Sequence, residues 1–272
     1  MKPTICIGGF DDEPLKKTRD AGFKYVEICF GEVALKTEAE LKEYLSKLDE
    51  LGLVPVAGNG FFPWTLKPEN GFFQPEFDIG AVKEYIEMAF EKTACIKWNS
   101  IAFGSGRFRV MPEGYDIKKA EDLFCSVISD IVVPKLEKYD AVLSIEELNS
   151  GETNFLNSCT QVMDIAKRVN HPKVGILCDY FHMSLAGETA ADVPDFAKYI
   201  THIHIASPSN NRTVPFAYDS DKDNYDAFFA SLKACGYKHE YLSVEGHLPG
   251  DVDEQKSLSD CYEFLNSKIK AF

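Results

Sequence analysis

The stretch Val142-Leu143-Ser144-Ile145-Glu146, with Glu147-Leu148-Asn149 behind it, decides how the rest of the chain is read. An apolar run that stops abruptly at carboxylates reads as a buried β-strand whose last residue meets a polar site. An ionised carboxylate there is costly to desolvate unless a cation or hydrogen bonds compensate it. Three later apolar runs end the same way: Val174–Cys178 delivers Asp179, Thr201–Ile203 delivers His204, and Tyr241–Val244 delivers Glu245. Four strands that each offer a metal-type ligand at the carboxyl end point to one shared site.

Upstream of these runs lie four more: Thr4–Ile7, Tyr25–Cys29, Leu53–Ala57 and Ser100–Phe103. Helical segments separate them, near Glu13–Asp20 and at Thr37–Glu50, Asp78–Lys92, Tyr115–Tyr139, Cys159–Val169, Val193–Tyr199, Tyr225–Cys235 and Glu254–Lys268. In Thr37–Glu50, Leu41, Leu45 and Leu48 keep helical spacing, and Thr37 with Glu40 fits a capping box. Pro134 predicts a bend or break in the long helix. Strict β-α alternation calls for a parallel sheet, because parallel strands need crossover connections. About eight such units in a chain near 250 residues predict an α/β protein, a (β/α)8 TIM barrel, as one domain over residues 1–272. An open doubly wound sheet is the competitor, but Gly8-Gly9 after the first strand is not a G-x-G-x-x-G turn. The long loops, Gly58–Gly71, Gly104–Tyr115, Asn149–Asn157 and Ser207–Asp219, all follow strands, which marks the carboxyl face as the functional one.

Composition narrows the function. With 45% hydrophobic and 26% charged residues, the 272-residue chain is an ordinary globular one. No apolar run approaches the ~20 residues of a membrane span, and Met1-Lys2-Pro3-Thr4-Ile5-Cys6 lacks the apolar core of a signal peptide. Eight scattered cysteines without a C-x-x-C pair read as reduced and buried, so a cytoplasmic protein is expected. A net charge of −14 argues against nucleic-acid binding, which wants a basic face.

Glu146, Asp179, His204 and Glu245 would present carboxylate oxygens and one imidazole around a common point. That set suits one divalent ion, Mn²⁺ first and Mg²⁺ or Co²⁺ as alternatives, better than a structural zinc. Any one of these residues alone reads more simply as a helix cap, but the joint placement on four strands favours a metal. Strand alternation points Glu147 to the other side, where a surface or inter-element ion pair is expected. His182, three residues past Asp179, either reaches the pocket or packs elsewhere, whereas His202 lies one layer deeper than His204. Glu152 and Arg212 sit on loops over the site. The aromatic loop Phe61-Phe62-Pro63-Trp64 with Phe72-Phe73 serves either as packing or as a wall that excludes water. Gly104–Arg109 is a weak candidate anion cradle.

These residues fall into longer motifs that resemble the xylose-isomerase-like TIM barrels, the sugar phosphate isomerase/epimerase superfamily. Ser144-Ile145-Glu146-Glu147-Leu148-Asn149 is similar to its I-E-P-L-N strand end, and Glu152-Thr153-Asn154 to the E-T-N that follows. His171 to Met183 resembles H-P-x-V-G-x-x-x-D-x-F-H-M, His202-Ile203-His204-Ile205-Ala206 resembles H-x-H-x-A, and Leu242-Ser243-Val244-Glu245 resembles L-S-I-E. Gly104-Ser105-Gly106 through Pro112-Glu113-Gly114 also looks like the loop after the family's fourth strand. The ketose 3-epimerases, which include D-tagatose and D-psicose 3-epimerases, are the nearest resemblance. It implies that Glu146, Asp179, His204 and Glu245 hold the metal and that Glu146 and Glu245 exchange the substrate proton. Glu152, His182 and Arg212 would contact a small-molecule sugar. One departure follows His204: Ser207 to Phe216 is longer than the family's loop and lacks its Pro-Gly-x-Gly turn.

The chemistry agrees with the resemblance. Removing a proton beside a carbonyl requires stabilising an enediolate, which a divalent ion does as a Lewis acid. Two carboxylates on opposite faces then invert the carbon, whereas return of the proton to the neighbouring carbon gives an aldose–ketose isomerase. The alternative is a dehydratase or lyase acting on an inosose or keto-sugar. Endonuclease IV-type repair is less favoured, because the third- and fourth-strand ends offer Gly58-Asn59-Gly60 and Phe103-Gly104 without a histidine. Non-catalytic sugar binding would not need two apposed carboxylates. A homodimer or homotetramer is compatible with the aromatic loop.

Overall fold

The computed structural model describes residues 1–217, 220–250 and 252–271, without the side chains of 222 and 223. Eight strands pair in parallel and in chain order: β1 (Lys2–Ile7), β2 (Tyr25–Cys29), β3 (Val54–Asn59), β4 (Ser100–Phe103), β5 (Leu143–Glu146), β6 (Val174–Asp179), β7 (Ile200–Ile205) and β8 (Tyr241–Val244). β8 pairs with β1 and closes a barrel, so the expected (β/α)8 architecture is what the chain forms. Every residue of β4, β5 and β6 is buried, as strands covered on both faces must be. The loop expected to run from Ser207 to Asp219 ends in Tyr218 and Asp219, which lie outside the described residues.

Strand register brings the chemistry to one level. Asp179 on β6 is the partner of His204 on β7, and Glu146 on β5 is the partner of Leu177 on β6. Alternation then sends Ser144 and Glu146 into the barrel and Leu143, Ile145 and Glu147 toward the helices. Below the ligand level, hydroxyls line the barrel: Ser144 Oγ bonds Ser100 Oγ and Thr201 Oγ1, each at 2.7 Å.

The capping box at Thr37 is formed, with the Glu40 side chain accepting from the Thr37 N–H at 2.7 Å. The long helix around Pro134 is neither cleanly bent nor cut. Helix Ile117–Ser126 passes through a widened π turn, Val127–Val132, into helix Val133–Tyr139, with Pro134 in its first turn. Proline has no N–H to give to the preceding turn, and the widened turn ahead of it accommodates that loss. Two short helices begin where strands end, Phe30–Leu35 and Tyr180–Leu185, and periodicity alone does not announce helices of six residues.

The aromatic loop resolves mainly as packing. Phe61, Phe62, Phe72 and Phe73 are buried, and Phe61 stacks on Phe103 at 4.4 Å while Phe62 stacks on Phe108 at 4.4 Å. Trp64 alone stands out, 69% exposed. Among the described residues, no helix is long and apolar enough to cross a membrane.

Candidate active site

At the carboxyl end of the barrel the structure gathers Glu146, Asp179, His204 and Glu245, with one donor atom of each within 4.8 Å of all the others. The Nδ1 of His204 lies 3.2 Å from Glu245 Oε2, 3.5 Å from Glu146 Oε1 and 4.0 Å from Asp179 Oδ2. Asp179 does two jobs. Its Oδ1 caps the following helix, accepting from Phe181 N at 2.7 Å, while Oδ2 faces the cluster. The simple helix-cap reading therefore holds for Oδ1, and it leaves Oδ2 turned to the cluster.

Burial and charge crowding together set the electrostatics. Burial, and then the neighbouring Glu245 charge, raise the Glu146 carboxyl above the usual carboxylate range. Burial would also raise Glu245, but the charge of His204, with Arg212, holds it down at about 2. Glu146 Oε1 is buried without a hydrogen-bond partner among the described residues. Three carboxylates and an imidazole converging on an orphaned oxygen fit a divalent cation, which would supply the missing positive charge and accept mostly oxygen donors.

Behind His204 stands a residue that the sequence reading passed over. Glu27, in the middle of β2, is completely buried and takes His204 Nε2 at 3.0 Å and His202 Nε2 at 2.8 Å. Ser243 Oγ donates to the same carboxylate at 2.6 Å. Burial disfavours the charged form of Glu27, but the two imidazoles outweigh it and hold the carboxyl well below its ordinary value. Burial likewise works against a charged His204, and Glu27 and Glu245 more than reverse it. By accepting from Nε2, Glu27 turns Nδ1 toward the cluster. The signal was available: one glutamate in an otherwise apolar strand, and a second histidine two residues before His204, each in need of a partner.

The loop residues arrive as well. Arg212 donates through Nη2 to Glu245 Oε2 at 2.5 Å and to Asp179 Oδ2 at 3.3 Å, and through Nη1 to Glu152 Oε1 at 3.2 Å. Its backbone is left-handed, φ 61°, as is that of Asn211 at φ 52°, so this loop makes its turn without the glycines of the resembling motif. His182 Nδ1 accepts from Asn149 N at 3.1 Å, which leaves its Nε2 as the donor. That Nε2 is buried without a hydrogen-bond partner among the described residues, 3.7 Å from Asp179 Oδ2 and 3.8 Å from Glu152 Oε1.

One expectation is corrected. Glu147 is not a surface residue, nor half of an ion pair among the described residues: it is completely buried, its Oε1 accepting from Asp179 N at 2.8 Å. Burial, Cys178 and Asp179 push its carboxyl well above the ordinary value. In Gly104–Arg109, the candidate anion cradle, Arg109 Nε and Nη1 are buried without a hydrogen-bond partner among the described residues. Arg109 turns inward, fully buried, and donates to the Glu146 carbonyl at 3.0 Å, where burial pushes it down to about 10.

The sequence model of the xylose isomerase-like TIM barrel family matches residues 15–267. The chain belongs to that family. Among xylose isomerase-like proteins, it is 28% identical to a ketose 3-epimerase of Arthrobacter globiformis over 86% of this chain and 78% of that one. In three dimensions it resembles D-psicose 3-epimerase from Clostridium cellulolyticum H10, crystallised with D-tagatose, with a TM-score of 0.80 at 16% identity over 99% of each chain. It also resembles a 3-keto-D-glucoside 4-epimerase from E. coli, with a TM-score of 0.78 at 20% identity over 98% of this chain and 99% of that one. Within the xylose isomerase-like family, then, this chain is an isomerase-class enzyme, a carbohydrate epimerase.

Proposed function

We propose that the protein is a divalent-metal-dependent ketose epimerase that inverts the carbon next to the carbonyl, C3, by proton transfer through an enediolate. The observation that carries this reading is the convergence of Glu146, from β5, and Glu245, from just beyond β8, on the point they share with Asp179 and His204. Those four residues would hold the cation, Mn²⁺ first and Mg²⁺ or Co²⁺ as substitutes, which supplies Lewis-acid stabilisation to the negative charge on the sugar's oxygens. One of the two glutamates removes the proton from one face, and the other returns a proton to the opposite face. Neither alone can invert the carbon.

The remaining groups bind and orient. His182 presents a buried N–H with no hydrogen-bond partner among the described residues, suited to a sugar hydroxyl or carbonyl oxygen. Glu152, with its side chain 42% exposed at the mouth, accepts from a hydroxyl, and Arg212 spans Glu152 and Glu245 above the site. The eight free cysteines suit the reducing cytoplasm.

The deciding experiment incubates the Mn²⁺-loaded protein with a panel of free ketoses in D₂O. The expected product is the C3 epimer carrying one solvent-derived deuterium at the inverted carbon. A dehydrated product would transfer the site to the lyases, and sugar binding without C–H exchange would remove catalysis from it.

A further inference from the structure

On the far side of β5 and β6 from the barrel interior lies a second cluster that epimerisation does not use. Glu147 leaves the end of β5, Cys178 the end of β6, and Cys159 begins helix Cys159–Val169; all three are completely buried. One donor atom of each lies within 4.8 Å of the other two. The sulfurs of Cys159 and Cys178 are 3.7 Å apart, and Met183 Sδ is 3.7 Å from Cys178 Sγ. Two buried cysteines are ordinary core packing. A buried glutamate among them is not, and Glu147 Oε2 has no hydrogen-bond partner among the described residues.

We propose that Cys159, Cys178 and Glu147 form a structural zinc-type site, separate from the catalytic cluster. Two thiolates on a tetrahedral zinc, with bonds of about 2.3 Å, stand about 3.8 Å from each other, which is the spacing the two sulfurs already have. A carboxylate oxygen is an ordinary third donor for zinc. Soft sulfur donors distinguish this site from the oxygen-rich one in the barrel. The placement carries a consequence for the fold. Glu147 Oε1 accepts the N–H of Asp179, so an ion here would tie together the ends of the two strands that deliver Glu146 and Asp179. Because the site is closed to solvent, the ion would enter as the chain folds.

Cobalt reports the difference between the two sites. The whole chain is refolded under reducing conditions with Co²⁺, and the near-ultraviolet thiolate-to-cobalt charge-transfer band is followed against added metal. Glu146, Asp179, His204 and Glu245 are oxygen and nitrogen donors and give no such band, but Cys6 lies close to Glu27 and His204 behind them and needs its own control. The band is expected to saturate by two equivalents of added cobalt, because the barrel cluster takes one without contributing to it, to persist in Glu245→Gln and in Cys6→Ser, and to be bleached by Zn²⁺. It is expected to disappear in Cys159→Ser and in Cys178→Ser, and Glu147→Gln is expected to weaken cobalt binding about tenfold while the band remains. Absence of the band from the wild-type protein overturns the site whether or not the variants fold, as does a band that depends on Cys6. Neither result bears on ketose epimerisation, which is read separately.

Discussion

Glu27 decides what His204 can do. An imidazole held at Nε2 by a buried carboxylate has one orientation and one free nitrogen, and here that nitrogen faces Glu146, Asp179 and Glu245. Replacing Glu27 by Gln keeps the shape and removes the charge. Mn²⁺ affinity, read by titration calorimetry, is expected to fall about 10- to 100-fold, the usual cost of losing such a partner. Unchanged affinity would reduce Glu27 to a packing residue. Gly104 is a second single-residue control. A Cβ there would lie 2.1 Å from Glu146 Oε2, and that carboxylate has little room to move because its own strand end is buried. Gly104→Ala is expected to keep the fold and to lower kcat about 100-fold, as displacements near 1 Å do in organised sites. A variant with full activity would show that Glu146 tolerates displacement.

At the scale of elements, what the sequence declares is whatever depends on short-range chemistry. Thr37 and Glu40 announce a helix start, and the start is there. Thr37→Ala is expected to cost about 1 kcal/mol, seen as a lower denaturant midpoint with an unchanged slope. The strand ends were equally legible, because an apolar run that stops at Glu146, Asp179, His204 or Glu245 is anomalous without a polar destination. Glu147 was misread because strand alternation says which way a side chain points and not what lies there: its neighbours Glu146 and Leu148 are buried with it. Helix Tyr180–Leu185 was invisible as a period, although Asp179 followed two residues later by a backbone N–H donor is how its cap is built. Pro134 was read correctly as a disturbance, but its form, a widened turn with Val127, Ile128 and Ile131 buried, is not written in the local sequence.

For the whole molecule, the barrel follows from alternation alone, whereas the site depends on charges that the sequence cannot place. Without a cation, Glu146, Asp179 and Glu245 repel one another inside a closed barrel, relieved by His204, Glu27's partner, and by Arg212 lying across Glu245 and Asp179. A divalent ion would replace that partial relief with direct neutralisation, and only in the folded state, since the four side chains stand 25 or more residues apart in sequence. Binding to the folded state alone stabilises by about 2.7 kcal/mol when free metal is 100 times its dissociation constant. For a chain somewhat above 250 residues, that corresponds to a Tm rise of about 5–10 °C. Scanning calorimetry of the chelator-stripped protein, with and without Mn²⁺, is expected to show this rise, and epimerase activity is expected to return over the same range of metal concentration. Asp179→Asn keeps the helix cap through its Oδ1 while removing one charge from the cluster, so it is expected to leave the stripped protein's Tm nearly unchanged and to abolish most of the Mn²⁺-dependent rise. A rise of equal size in that variant would place the stabilising ion somewhere other than among these four side chains.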